Sequence, residues 1–305
     1  MQRHPGDLAD ARPEWLERPE RGSPLAMRLL RWLTLRLGRA AGRLLLYPIC
    51  AYFVLFSVRA RRASADYLRR ALGRPAQLSD VFRHYHAFAS TIHDRITLLA
   101  GRYDTFDVTL SAPAETLALL RSGRGCILLG SHLGSFEILR ARSFSDRVPP
   151  VNVLMHLDNA GKINSVLHPL APQLAARVIP LGDPASLLRV RECLARGELV
   201  GMLGDRTWRT ERSSSCEFLG APARFPLGPL LLAGLLNAPV VLFFGLYLGG
   251  RRYEIRLEPF ADSIALPPGS RAAAVRPWIE RYVRRLEHYC GIAPYNWFNF
   301  YDYWA

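Results

Sequence analysis

Cys126-Ile127-Leu128-Leu129-Gly130-Ser131-His132-Leu133-Gly134-Ser135-Phe136-Glu137 is the stretch on which the reading of this chain turns. A short apolar run closed by glycine predicts a buried strand. Gly130 and Gly134 let the backbone turn sharply after it, and residues 133–142 then read as a helix. Such a turn sets His132 at the carboxyl edge of a sheet, where open α/β sheets bind their ligands. An imidazole there can take a proton from a hydroxyl, and the Glu137 carboxylate can fix its tautomer and stabilise its charged form. The five-residue offset is off the helical repeat, so His132 is expected before the helix and Glu137 in its first turns. The spacing alone is weak. With 8 His and 26 acidic residues in 305, roughly 0.7 such pairs arise by chance. The apolar strand and the glycine-bounded turn supply the weight.

Outward from that turn the chain alternates. Strands are expected over 125–129, 150–155, 176–180, 199–203, 239–248 and 252–258, with helices over 113–121, 133–142, 184–195, 226–237 and 271–289. This order predicts an α/β fold with a mainly parallel sheet and crossover helices. Gly249-Gly250-Arg251-Arg252 reads as a hairpin. Two helices are expected over 64–100, one capped by Ser64 and one opened by Leu78-Ser79-Asp80. His84, His86 and His93 on the second read as packing or surface residues, since no carboxylate sits beside a His pair at ligand spacing.

The amino-terminal part differs. Residues 1–24 are polar and carry four prolines, which predicts a loosely ordered arm without the apolar core of a secretory signal. Met27 to Arg43 holds Arg28, Arg31, Arg36, Arg39 and Arg43 among leucines with no acid, and Leu44 to Phe56 is uncharged. That run falls short of the roughly 20 residues of a span and contains Pro48. With arginines on both sides, residues 25–60 are expected to form a membrane-associating segment on anionic headgroups. The alternative is an ordinary buried helix.

The net charge of +14 comes from 40 basic residues, of which only Lys162 is lysine, against 26 acidic ones. Such an excess suits nucleic acid, an anionic membrane surface or an acidic protein partner. Nucleic acid is the poorest fit, because zinc-finger spacing and RNA-recognition aromatics are missing. The five cysteines form no CxxC pair, which points to a reducing compartment and away from a disulfide framework or a zinc site.

A second block lies downstream. Leu203-Gly204-Asp205-Arg206 ends another apolar strand, and Phe218-Leu219-Gly220-Ala221-Pro222-Ala223-Arg224-Phe225-Pro226-Leu227-Gly228-Pro229 follows. With the His-x4-Glu turn, these blocks resemble the bacterial glycerolipid acyltransferase superfamily, most closely its lipid A (lauroyl/myristoyl) branch. That branch carries His-x4-Asp/Glu, an Asp at a strand end, and an aromatic-x-Gly-x-Pro-Ala stretch leading into a Pro-x-Gly-Pro helix. The likeness covers roughly residues 25–305 and makes 61–305 the expected acyltransferase domain. Arg61-Arg62-Ala63-Ser64-Ala65-Asp66-Tyr67-Leu68, Phe82-Arg83-His84-Tyr85 and Pro294-Tyr295-Asn296-Trp297-Phe298-Asn299-Phe300-Tyr301 look closer to the glycolipid acyltransferases of aryl-polyene pigment pathways. One departure stands out. Where the lipid A branch usually has Tyr-Arg, this chain reads Val153-Leu154-Met155-His156-Leu157-Asp158-Asn159, so a different lipid or glycolipid acceptor is expected.

The resemblance implies transfer of a fatty acyl chain from an acyl-carrier-protein thioester, or acyl-CoA, to a hydroxyl, at the cytoplasmic face of the bacterial inner membrane. It implies His132 as base and Glu137 as its partner, with neither metal nor cofactor. Ser131, Gly134, Asp205, Arg206, Arg209, Arg224, Phe225 and Gly228 are the expected substrate-binding set, with Arg206 or backbone N–H groups facing the oxyanion. The carboxyl-terminal aromatics, Tyr295 through Trp304, read either as a packed strand at the core edge or as a belt at the bilayer surface. Two other functions stay open. A hydrolase would want Gly-x-Ser-x-Gly, and Gly130-Ser131-His132-Leu133-Gly134 has His where Ser belongs. A non-catalytic peripheral membrane protein would need only the basic amino-terminal segment.

Overall fold

A computed structural model describes residues 24–139, 149–156, 167–172, 176–183, 185–207 and 211–304. Four helices come first: α1 (Pro24–Leu37), α2 (Arg39–Phe56), α3 (Val58–Leu72) and α4 (Leu78–Leu99). Then follow β1 (Asp107–Ser111), α5 (Ala114–Arg121), β2 (Cys126–Gly130), β3 (Val151–Met155), β4 (Val178–Pro180), α6 (Ala185–Ala195) and β5 (Leu199–Leu203). The chain continues with β6 (Ser213–Phe218), β7 (Ala221–Pro226), α7 (Gly228–Leu235), β8 (Val240–Tyr247), β9 (Arg252–Ala261) and α8 (Arg271–Ile292).

Seven strands form one sheet in the order β1-β9-β8-β2-β5-β3-β4. Its β8–β2–β5–β3–β4 part is parallel, β9 runs antiparallel to β8, and β1 pairs parallel with β9. The α/β expectation therefore holds. Strand β2 lies at the centre and both its faces are covered. Ile127 and Leu129 join one core cluster while Cys126 and Leu128 join the other, as the two-residue period of a strand requires. On the first face sit Val275, Ile279, Tyr282 and Leu286 of α8; on the second, Ala87 and Leu98 of α4.

Several boundaries differ from the sequence reading. Ser64 is not a helix cap: it lies inside α3, buried, with its hydroxyl on His84 Nδ1 at 2.8 Å. The second helix opens as expected, with Gln77 and Asp80 forming a capping box. β1 and the β6–β7 hairpin were not expected as strands, since their polar residues leave only partial burial along them. Residues 1–23 of the expected arm and 140–142 of the expected helix lie outside the described residues.

The amino-terminal helices attach by a narrow stripe. Gly42, Leu46, Cys50 and Val54, four residues apart, are the buried positions of α2. A Cβ at Gly42 would overlap the His93 ring and the Thr34 hydroxyl, so the helices approach closely there. Arg39 forms a two-pronged bond with buried Asp94, at 2.7 and 2.8 Å, and Arg43 reaches Tyr247 Oη at 2.9 Å. These two arginines thus fasten α2 to the domain, whereas the sequence placed them among the headgroup-facing set. Arg28, Arg36, Arg59 and Arg62 remain exposed.

Candidate active site

The site begins with strand register. β2 and β5 are adjacent and parallel, with Gly130 opposite Leu203 as their last paired residues. His132 and Asp205 each lie two residues beyond that pair, so the two chains leave the sheet side by side. Gly204 N–H donates to Gly130 C=O at 3.0 Å and holds the exits together. The imidazole Nδ1 then meets Asp205 Oδ1 at 2.8 Å, and the His132 backbone N–H donates to Oδ2 at 2.9 Å.

This arrangement corrects the sequence reading of Glu137. The carboxylate on the imidazole is Asp205, which the sequence had assigned to substrate. Glu137 opens the helical residues 137–139, as expected, but its carboxylate receives Arg95 Nη2 of α4 at 3.1 Å. The reason is geometric. A residue two positions past a neighbouring parallel strand lies closer in space than one five positions along the same turn.

The turn itself is held from both sides. Ser135 N–H donates to Gly245 C=O of β8 at 2.7 Å. Across from it, Gly134 N–H donates to Asn296 C=O at 2.8 Å and Phe298 N–H to His132 C=O at 2.7 Å. Gly134 has φ +76°, and a Cβ there would overlap the Gly245 carbonyl. Glycine is required at this position on both counts. Gly130 is the last residue of β2 and lacks a positive φ, so the sharp turn belongs to Gly134 alone.

Burial and charge settle the protonation states. The Asp205 side chain is fully buried while that of His132 is 29% exposed. Burial alone would raise the Asp205 carboxyl, yet the adjoining His132 and the Arg206 charge bring it below the usual carboxylate range. Burial and Arg206 push His132 down, against the pull of Asp205. At neutral pH the pair is a carboxylate and a neutral imidazole. Since the carboxylate only accepts, Nδ1 carries the proton and Nε2 the lone pair. Among the described residues Nε2 has no hydrogen-bond partner. A neutral imidazole with its tautomer fixed by a buried carboxylate is equipped to accept a proton from a hydroxyl.

The other expected site residues separate into two groups. Ser131 is buried at the start of the turn, beside the Tyr282 hydroxyl, which donates to Gly130 C=O at 2.8 Å. Arg206 turns inward, with Nε on Asn299 Oδ1 and Nη2 on Phe298 C=O, both at 2.8 Å. These contacts commit two of its nitrogens to the Asn299 side chain and the Phe298 carbonyl, where the sequence had them on an acceptor or an oxyanion. Phe225 is wholly buried and meets the site through the rings of Tyr303 and Tyr282, 5.9 and 6.4 Å away between ring centres. Arg224 is exposed on β7 opposite Ser215, and Gly228 starts α7 against Glu211. Among the described residues, no hydrogen bond or ion pair of His132 or Asp205 involves Arg224, Phe225 or Gly228. Arg209 lies outside the described residues.

The sequence missed the contribution of 294–304. This segment is packed inside, with Trp297 fully buried and only a single bridge, Leu133 to Trp297, in place of a strand. Trp297 Nε1 donates to Asp205 Oδ2 at 2.9 Å and Tyr303 Oη to Asp205 C=O at 2.6 Å. His84 of α4, whose pKa burial takes down to about 4, bridges Ser64 and Trp297 C=O. The aromatic run was visible in the sequence, but the ties of its indole nitrogen, amides and Tyr303 hydroxyl to the site were not.

The family model described as bacterial lipid A biosynthesis acyltransferase matches residues 113–304, which take in sheet strands β2–β5, β8 and β9, the His132 turn and the closing aromatic segment. The chain belongs to that family. It is therefore an acyltransferase enzyme acting on lipid. No curated protein matches the chain. In the acyltransferase, α5 through the 294–304 segment fall within the match, while α1–α4 and β1 precede it.

Proposed function

We propose that this acyltransferase moves a fatty acyl chain from an acyl-carrier-protein thioester, or acyl-CoA, onto a hydroxyl of a lipid or glycolipid, with His132 as general base. The observation that carries the reading is the Nδ1 bond of His132 to buried Asp205, with Nε2 lacking a hydrogen-bond partner among the described residues and the side chain 29% exposed. Nε2 takes the acceptor's hydroxyl proton as its oxygen attacks the thioester carbonyl. The tetrahedral intermediate collapses, the C–S bond breaks, and the imidazolium returns the proton to the departing thiolate. Asp205 offsets the positive charge that develops on the ring. Glu137 acts from the far side of the turn, through Arg95.

The donor carrier is an acidic protein in this reading, which suits the +14 charge. The acceptor is a glycolipid of the aryl-polyene type in this reading: residues 61–68, 82–85 and 294–301 look closer to those acyltransferases, and the stretch Val153–Asn159 lacks the Tyr-Arg of the lipid A branch. Reaction takes place at the cytoplasmic face of the inner membrane. Residues 25–60 supply the anchor: α2 is long and apolar enough to cross a membrane, with only 22% of it buried. Its packing along α4 favours a helix lying in the interface.

The test is transfer of a labelled acyl chain by the full-length protein in anionic vesicles, with each donor in turn against a panel of lipid and glycolipid alcohols. An O-acyl product that disappears in His132→Ala supports the reading. Free fatty acid released without any acceptor would make it a hydrolase, and no product across the panel would leave a peripheral membrane protein that keeps the fold.

A further inference from the structure

Asp205 Oδ2 is crowded with donors. It accepts the His132 backbone N–H and Trp297 Nε1–H, each at 2.9 Å, and Asn299 Nδ2–H at 3.4 Å. Only Oδ1 faces the imidazole. Two of these donors come from a segment more than 90 residues along the chain from Asp205, since the separations are 92 and 94. Trp297 cannot easily move. It is fully buried, its ring lies 5.0 Å from Tyr67, 5.1 Å from Phe218 and 4.7 Å from Tyr303, and its carbonyl is held by His84. A buried indole N–H placed on a buried carboxylate is a directional contact in a low-dielectric interior, where such bonds are strongest.

We propose that Trp297, assisted by Asn299, is a positioning residue for acyl transfer: its indole N–H fixes the Asp205 carboxylate so that Oδ1 holds His132 Nδ1 and Nε2 is presented to the acceptor hydroxyl. The inference rests on His132 as base. It makes the 294–304 segment a working part of the site, because the strands alone leave Oδ2 with a single donor.

Removing the indole N–H concentrates negative charge toward Oδ1. That favours the imidazolium, so the His132 pKa rises. Other charged and titratable groups face the pair and stay in place. They are Arg206 beside Asp205, Tyr282 and Cys290 from α8, and Tyr301 and Tyr303 from the closing segment. Burial holds all four hydroxyl and thiol groups above their ordinary values, so none of them changes charge in the range tested.

The experiment compares the full-length protein with Trp297→Phe, and with benzothienylalanine at 297, which keeps the bicyclic shape and replaces N–H by sulfur. Two quantities are read: the acid limb of kcat/KM, and the His132 imidazole titration by nitrogen NMR without substrate. Expected are a fall in kcat of about tenfold with KM within about twofold, and an upward shift of both midpoints by roughly 0.5 unit. Unchanged midpoints in the benzothienyl protein would overturn the proposal, whatever happens to stability or rate. The NMR arm needs no turnover, so it judges Trp297 even where the wild-type protein transfers no acyl chain and the functional reading itself fails.

Discussion

The strand-end cluster and the amino-terminal helices both depart from ordinary burial, in opposite senses. Around His132 the protein buries polar groups: Asp205, Asn296, Asn299, Ser131 and Glu137 are all at or below 8% exposure. Along α1 and α2 it exposes apolar ones, with Leu25 at 74%, Leu44 at 70% and Phe56 at 67%. A buried carboxylate costs several kcal/mol unless donors surround it, and a large exposed apolar patch marks a surface made for another phase. In the first region Asp205, Asn296, Asn299 and Glu137 each hold a partner that fixes a geometry. In the second, the Gly42-Leu46-Cys50-Val54 stripe, Thr34 and the two arginines Arg39 and Arg43 are committed to the domain. Chemistry is read from what is buried and held, association from what is left uncovered.

The sharpest way to break this comparison is at the imidazole. His132→Ala should lower acyl transfer by on the order of 10²–10⁴-fold, with the far-UV circular dichroism unchanged; transfer within tenfold of wild type would take His132 out of the mechanism. Next come the two carboxylates. Asp205→Asn is expected to reduce kcat by roughly 10²–10³-fold, and Glu137→Gln by about tenfold or less, since Glu137 meets Arg95 and Asp205 meets the ring. A larger loss in Glu137→Gln would return the imidazole to Glu137 during turnover.

On the exposed side, Leu44→Asp combined with Phe56→Asp should weaken flotation with anionic vesicles at least tenfold, since each apolar side chain contributes about 1.5–3 kcal/mol when buried. Binding equal to wild type would mean that these helices face something other than lipid. Gly134→Ala should lower unfolding stability by about 1–3 kcal/mol in urea, because it combines a positive φ with a clash on β8. Gly220→Ala, with φ +76° and nothing within 4 Å of its Cβ position, is the control at about 1 kcal/mol. Smallest is the pH effect. Burial and Arg206 depress His132, so the base is charged and inactive only at low pH. Activity should rise with pH through a midpoint below the ordinary value of about 6.5, and Asp205→Asn, which removes the raising partner, should move that midpoint lower still.

Much of the fold was readable because its strands are short apolar runs between glycines and its helices repeat every three to four residues. Val151–Met155, Leu199–Leu203 and Val240–Tyr247 fall within a residue or so of expectation. The β6–β7 hairpin was not readable. Ser213-Ser214-Ser215-Cys216 has no strong pattern, and its partner strand carries two prolines. The same limit applied to the site. His132 stood out through its turn, and Asp205 was noticed at a strand end, but nothing in a linear spacing could join residues 73 positions apart.

By itself, the sequence determined the α/β alternation, the glycine-bounded turn that carries His132, and an amino-terminal stretch rich in arginine and leucine. These are local matters of backbone freedom and hydrophobic period, which neighbouring residues settle among themselves. Tertiary structure alone decided which acid holds the imidazole, which arginines face inward, and what the aromatic run 294–304 does. Those choices depend on parallel strands ending level with one another, and on a distant segment supplying the donors that a buried carboxylate must have.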